Sequence, residues 1–254
     1  MVIYYGMFGD NEGRGCPFPV RMYCCELSEN DDAYDGFYRL MPPKRRERAD
    51  RYRNLPDRRR CILSYALLNH ALSALAEDIG PFGLPEGYLP IEEGPNGKPY
   101  LKDIPVCFNI SHSGNWVLAA LSPEEVGCDV EHVRRNTAGI AERFFAPEEH
   151  AYLLSIPDEE ERNLEFTRLW TIKESAAKCC GEGIRLILSD FPVTGAEGTR
   201  TGSISIPGID GRFHYREYES RGGYCFSVCS AYDKFEEDMR HAGVDCIAGE
   251  IRDE

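Results

Sequence analysis

The chain has 254 residues, 42% hydrophobic and 28% charged, which is enough for one large folded domain or two compact halves and too apolar for a disordered chain. No apolar run approaches the ~20 residues that span a bilayer, and the N-terminal MVIYYGMFGDNEGRG lacks a basic region followed by an apolar stretch, so neither a membrane span nor a secretory signal is expected. A net charge of −14 argues against nucleic acid as a partner, and eleven scattered cysteines with no CxxC pair read as free thiols of a cytoplasmic protein rather than zinc ligands.

Residues 2–5 and 20–27 alternate enough for one or two strands. Pro42-Pro43 can open a helix through KRRERADRYRNLPDRRR, residues 44–60. This segment holds nine Lys or Arg against three acids, a local net of +6, which leaves −20 on the rest of the chain. Such an island suits a compact polyanion such as a nucleotide, or else it is a solvated helix face with Arg paired to Glu47, Asp50 and Asp57. Leu63, Ala66, Leu67, His70, Ala71, Ala74 and Leu75 recur at spacings of three and four. They predict a helix over 59–76, stopped by Gly80-Pro81, with His70 as a core histidine.

The Gly- and Pro-rich residues 81–105 predict loops with a short strand near Lys98–Leu101. Phe108-Asn109-Ile110 leads into Ser111-His112-Ser113-Gly114, read as a turn. Strands follow at 116–121 and 126–130. Between them, Ser122-Pro123-Glu124-Glu125 is the candidate hinge, dividing the chain into 1–122 and 123–254. Helices are expected near 140–144, 147–156 and 163–180, and a meander of strands at 203–206, 212–218 and 225–230. The acidic last ~20 residues read as a peripheral helix or loose tail. Each half combines a few strands with a main helix, an α+β pattern.

Three local patterns carry chemistry. In Asp129-Val130-Glu131, strand geometry puts the two carboxylates on one face, where they repel unless a cation holds them, and Mg²⁺ takes hard oxygen ligands of this kind. In WTIKESAAK, residues 170–178, helical spacing gathers Thr167, Thr171, Glu174 and Lys178 on one polar face beside an apolar stripe of Phe166, Leu169, Trp170, Ala177 and Cys180. Glu174 and Lys178 make a surface i,i+4 pair, or a further metal carboxylate and a phosphate contact. Lys173 falls in the apolar stripe, where a charge is costly unless its tip finds a partner or water. Ser111-His112-Ser113-Gly114 offers hydroxyls, an imidazole and turn amides to a phosphate, or is an ordinary turn.

In order, Gly97-Lys98-Pro99, FNISHSG, VGCDVE, FFAPEE and WTIKESAAK resemble the Sfp-type 4′-phosphopantetheinyl transferase family over roughly residues 43–190. The resemblance implies two similar α+β halves related by a pseudo-twofold axis. It implies transfer of the phosphopantetheine arm of coenzyme A to a serine of an acyl or peptidyl carrier protein, by a monomer. It also implies Mg²⁺ on Asp129, Glu131 and Glu174, with Ser111, His112, Lys98, Lys173 and Lys178 toward the coenzyme. Arg45 and Arg48 align with two basic phosphate contacts, a register in which Lys44 is the alternative to Arg45. Glu149, with Glu148 as a rival, aligns with a glutamate that helps deprotonate the serine. Cys61 departs from the pattern, standing where a Thr can bind the coenzyme. The apolar run 181–191, especially Ile184, Leu186, Ile187 and Leu188, is a carrier patch or a core strand. A non-catalytic module for coenzyme A or a nucleotide is the alternative function.

Overall fold

The computed structural model describes residues 18–135, 137–182, 188–193 and 200–252. The strand expected at 2–5, and Ile184, Leu186 and Ile187 of the apolar run, lie outside the described residues.

The first half contains strand β1 (Arg21–Glu26), helices α1 (Asp31–Leu40), α2 (Pro43–Asp50) and α3 (Leu55–Ile79), and strands β2 (Ile91–Glu93), β3 (Pro99–Leu101), β4 (Cys107–Ser113) and β5 (Trp116–Ser122). The second begins at β6 (Val126–His132) and continues with α4 (Ala138–Phe144), α5 (Pro147–Ser155), α6 (Glu159–Cys180), a 3-10 turn at Leu188–Asp190, β7 (Thr201–Ile204), β8 (Phe213–Arg221) and β9 (Tyr224–Ser230). The short β10 (Arg240–His241) and α7 (Val244–Arg252) close the chain.

The basic island divides between two helices. Asn54 breaks the run because its side chain accepts from Asp57 N at 2.8 Å, capping α3 four residues before the predicted start. Gly80, at φ +90°, ends the helix in a conformation that side chains rarely adopt.

Two four-stranded sheets run β10-β1-β5-β4 and β6-β9-β8-β7. The halves share a topology. In each, an antiparallel hairpin follows a long helix, and the hairpin's second strand pairs with the strand that precedes the helix: β5 with β1, and β9 with β6. Strand alternation builds three cores. Val117, Ala119 and Leu121 of β5 face the first core with α3, whereas Trp116, Leu118 and Ala120 face β6 and β9 across the molecule. On β6, Val126, Cys128 and Val130 join that central core, which leaves Gly127, Asp129 and Glu131 to the opposite face. Phe166, Leu169 and Ile172 of α6 fill the third core.

The C-terminal stretch crosses back over the molecule. Val20 N donates to Lys234 O at 2.8 Å, β10 pairs in parallel with β1, and Val244 and Ile247 are buried in the first core. The end of the chain thus packs on the first half, and β10 covers the otherwise open edge of β1. His70 meets this tail, with Nδ1 2.7 Å from Glu250 Oε2, rather than sitting in the core. No helix of the described residues is long and apolar enough to cross a membrane.

Candidate active site

Ser111, His112 and Ser113 lie on β4 rather than in a turn, and the tight connection to β5 is Gly114-Asn115. β4 runs beside β6 at the junction of the halves, where Cys128 N donates to Asn109 Oδ1 at 3.0 Å. The buried Asn109 thus stitches the two sheets together and sets Ser111 opposite Asp129. Ser111 Oγ donates to Asp129 Oδ1 at 2.9 Å.

Helix α6 closes this junction from the other side. Its backbone lies so near β6 that a Cβ on Gly127 would stand 2.1 Å from Ser175 O and 2.4 Å from Cys179 N. Glycine is the only residue that permits this approach. Thr167 and Thr171 are consequently buried, and their hydroxyls bond back to Asn163 O and Arg168 O. The polar face seen in the sequence is a protein interface along most of its length, and opens only at Glu174 and Lys178.

Lys178 Nζ reaches Asp129 Oδ1 at 2.6 Å, Ser111 Oγ at 3.0 Å and Cys128 O at 3.1 Å. Burial is the largest influence and opposes its charge, but Asp129, Cys128 and Glu174 together outweigh it, so its proton is held more tightly than usual. Asp129 Oδ2 is buried with no hydrogen-bond partner. Glu131 Oε1 accepts from Arg134 at 2.8 Å, and Oε2 from Ser113 Oγ at 3.3 Å. Burial raises the carboxyls of Glu131 and Glu174, and Asp129 raises both further.

Residues 125–229 match the 4′-phosphopantetheinyl transferase superfamily. Over 214 residues the chain is 32% identical to the 4′-phosphopantetheinyl transferase Sfp of Bacillus subtilis (strain 168), covering 84% of this chain and 91% of that protein. It is 34% identical over 188 residues to psf-1 of Bacillus pumilus, with 74% and 77% covered, and 33% identical over 170 residues to AcpT of Escherichia coli (strain K12), with 65% and 75% covered. The chain belongs to the Sfp-type 4′-phosphopantetheinyl transferase family.

The phosphopantetheinyl transferase cleft is cationic on one wall. His112 is exposed on β4, and its imidazole is lowered by lost hydration in the cleft, by Arg60 and by Lys178. Arg60 donates to Gly114 O at 2.5 Å and pairs with Asp57, so it holds the β4–β5 connection to α3. Farther along, the half-buried Arg45 lies 5.5 Å over the Tyr65 ring, and both Arg45 and Arg48 act on the Cys61 thiol. Lys44 is exposed. The reading of the basic island as a paired helix face holds for part of it. Arg58, Arg59 and Arg60 are paired with acids, whereas Lys44, Arg45, Arg46 and Arg48 form no ion pair with any described residue.

Other predicted site residues stand elsewhere. Lys98 pairs with Glu125 and donates to Cys179 O at 2.8 Å, so it ties the β2–β3 hairpin to the end of α6. Lys173 has no exposed surface, and its ammonium bonds Glu149, Leu188 O and Phe191 O. The partner that its place in an apolar stripe demanded is Glu149. Glu149 is itself buried, with oxygens occupied by Lys173 and by the amides of Ala146 and Val193, an arrangement unlike that of a serine base facing substrate. Its rival Glu148 is exposed on α5. Leu188 is buried in the third core rather than displayed as a patch.

Sequence reasoning missed Arg134 and singled out no role for Arg60. Arg134 sits three residues after Glu131, and its guanidinium lies 5.5 Å over the Trp170 ring. Charge spacing around the DVE motif could have found it. Nothing local marks Arg60, because its partner Gly114 is 54 residues away.

The site fits a divalent cation by its chemistry. Among the described residues no three His, Cys, Asp or Glu side chains close into a metal cluster, as Lys178 holds Asp129 and Arg134 holds Glu131. The available donors are nonetheless all hard carboxylate oxygens on two facing elements, with a buried orphan oxygen on Asp129 and raised proton affinity on Glu131 and Glu174.

Proposed function

We propose that the enzyme transfers 4′-phosphopantetheine from coenzyme A to a serine of an acyl or peptidyl carrier protein, with Mg²⁺ held by Asp129, Glu131 and Glu174, and releases adenosine 3′,5′-bisphosphate. The observation that carries the ion is Asp129 Oδ2, buried and unpartnered while Oδ1 holds Lys178. An uncompensated buried carboxylate oxygen is costly, and a divalent cation removes that cost. When bound, the ion offsets charge on the pyrophosphate oxygens.

The protein supplies the rest. The serine oxygen forms a bond to the β-phosphorus as the bond to the bridging oxygen breaks. Lys178 leans on that leaving oxygen as negative charge develops there. Ser111 and His112 line the route of the phosphates, and Arg45 and Arg48 receive the 3′-phosphate beside Cys61 and Tyr65. The serine proton passes to a carboxylate of the cleft. Glu149 is poorly placed to accept it, because its oxygens already hold the Lys173 ammonium and the amides of Ala146 and Val193.

A panel of apo carrier proteins incubated with coenzyme A tests this reading. Each true substrate gains the mass of one phosphopantetheinyl group only when Mg²⁺ is present, and Asp129→Ala or Glu174→Ala abolishes the gain in a folded protein. Binding of coenzyme A without any carrier modification would instead identify a non-catalytic module.

A further inference from the structure

Lys173 and Glu149 are buried together in the second half, outside the cleft that performs the transfer. The ammonium has 0% exposure and three acceptors: Glu149 Oε2 at 2.8 Å, Leu188 O at 2.8 Å and Phe191 O at 2.6 Å. The rings of Phe191 and Phe145, at 4.7 and 5.6 Å from Nζ, close it off from water. Glu149 Oε2 also accepts from Ala146 N at 2.9 Å, and Oε1 accepts from Val193 N at 2.8 Å. Three segments therefore meet on one ion pair: α6, the start of α5 and the return segment 188–193.

A buried pair of this kind adds little stability over apolar residues of the same volume, because desolvating two charges cancels most of their attraction. What it does supply is direction. Lys173 directly precedes Glu174, and neighbouring helical residues diverge by about 100°. Lys173 points into the third core while Glu174 and Lys178, one turn apart, face Asp129. Contact at Gly127 sets how close α6 lies to β6. The three bonds at Lys173 set how far α6 is rotated about its own axis.

We infer that Lys173 and Glu149 are a positioning pair, which locks the rotation of α6 and so aims Glu174 and Lys178 into the cleft, and that Glu149 does not deprotonate the carrier serine. This rests on the proposed transfer reaction. Its test compares Lys173→Met, Glu149→Gln and the double variant with the wild type, well below each protein's melting midpoint. Each single variant lowers kcat about a hundredfold, the scale expected when a remote change displaces catalytic groups by about 1 Å. Any rise in KM for coenzyme A is smaller than the fall in kcat, since Arg45 and Arg48 are untouched. The double variant is no slower than the slower single variant, because both remove one device. The pH–rate profile of Glu149→Gln keeps its rising limb where the wild type has it, and Lys173→Arg recovers part of the lost rate.

Loss of that rising limb in Glu149→Gln, with kcat preserved in Lys173→Met, would make Glu149 the base and overturn the inference. Variants that melt earlier but keep wild-type kcat would reduce the pair to a structural contact and overturn it equally. Should Lys173→Met fail to fold, Glu149→Gln and Lys173→Arg give the same discrimination. A wild type that modifies no carrier refutes the transfer reading instead. The pair is then judged by Mg²⁺ calorimetry, where unaltered ion affinity in Glu149→Gln counts against a displaced Glu174.

Discussion

Lys178 Nζ sits 2.6 Å from Asp129 Oδ1, so a helix of the second half completes a site whose third member, Ser111, belongs to the first half. The ammonium compensates one oxygen of a carboxylate that is only 4% exposed, and the other oxygen is left bare.

Removing the ammonium exposes that dependence. Lys178→Ala abolishes transfer and destabilises the metal-free protein by about 2 kcal/mol, the scale for leaving a buried charged group without its partner. Added Mg²⁺ then raises the melting temperature of Lys178→Ala more than that of the wild type, because the ion meets a carboxylate that no ammonium compensates, with only the Ser111 hydroxyl still on Oδ1. Differential scanning fluorimetry across a Mg²⁺ series measures this, and equal shifts in the two proteins would contradict a shared site.

Gly127→Ala disturbs the same site through the backbone. The added methyl would lie 2.1 Å from Ser175 O, a backbone atom that cannot rotate away. Helix α6 must move off β6, carrying Glu174 and Lys178 with it. The expected result is a loss of about 1–3 kcal/mol from overpacking, together with a fall in kcat larger than any rise in KM for coenzyme A. Chemical denaturation and steady-state kinetics check the two parts.

The proposed 3′-phosphate contacts of Arg45 and Arg48 predict a distinction between coenzyme A and its form lacking that phosphate. Arg45→Ala or Arg48→Ala weakens coenzyme A binding about tenfold or more, because a hydrogen bond to a charged group contributes about 1.5–3 kcal/mol. The same variants leave binding of dephospho-coenzyme A unchanged. Isothermal calorimetry with both ligands gives the comparison, and equal losses for the two would move the 3′-phosphate elsewhere.

The proposed contact of His112 with a coenzyme phosphate predicts pH-dependent binding. Its free imidazole titrates below the ordinary 6.5, through lost hydration, Arg60 and Lys178. A phosphate beside it favours the imidazolium, so binding raises this pKa and takes up a proton. Affinity therefore strengthens as pH falls through the window between the bound and free values, and levels off below the free value. His112→Gln flattens that dependence. Histidine NMR with and without coenzyme A reads both pKa values directly, and a downward shift on binding would refute the contact.

Much of the site could be read from short-range geometry alone. The two-residue spacing of Asp129 and Glu131 holds on β6, and the four-residue spacing of Glu174 and Lys178 holds on α6, because each pair lies within one regular element. The long helix was likewise visible, although its start moved to Leu55 once the Asn54 cap was known. The Ser-His-Ser stretch was mistaken for a turn because small polar residues suit turns and edge strands alike, and pairing with β5 decides which forms.

The sequence by itself determined the chemical inventory: hard carboxylates at strand and helix spacing, a basic island, and a lysine out of place in an apolar stripe. Tertiary structure decided which of these meet. Lys178 and Ser111 are 67 residues apart, and Lys173 and Leu188 are 15 residues apart, a pairing that no periodicity encodes. The apolar stripe of α6 already turns Lys173 inward and Glu174 to the other side, but it does not show that the inward partner is Glu149. Local spacing dictates which face of an element a side chain occupies, but only the packing of β6 against α6 at Gly127 dictates what that face touches.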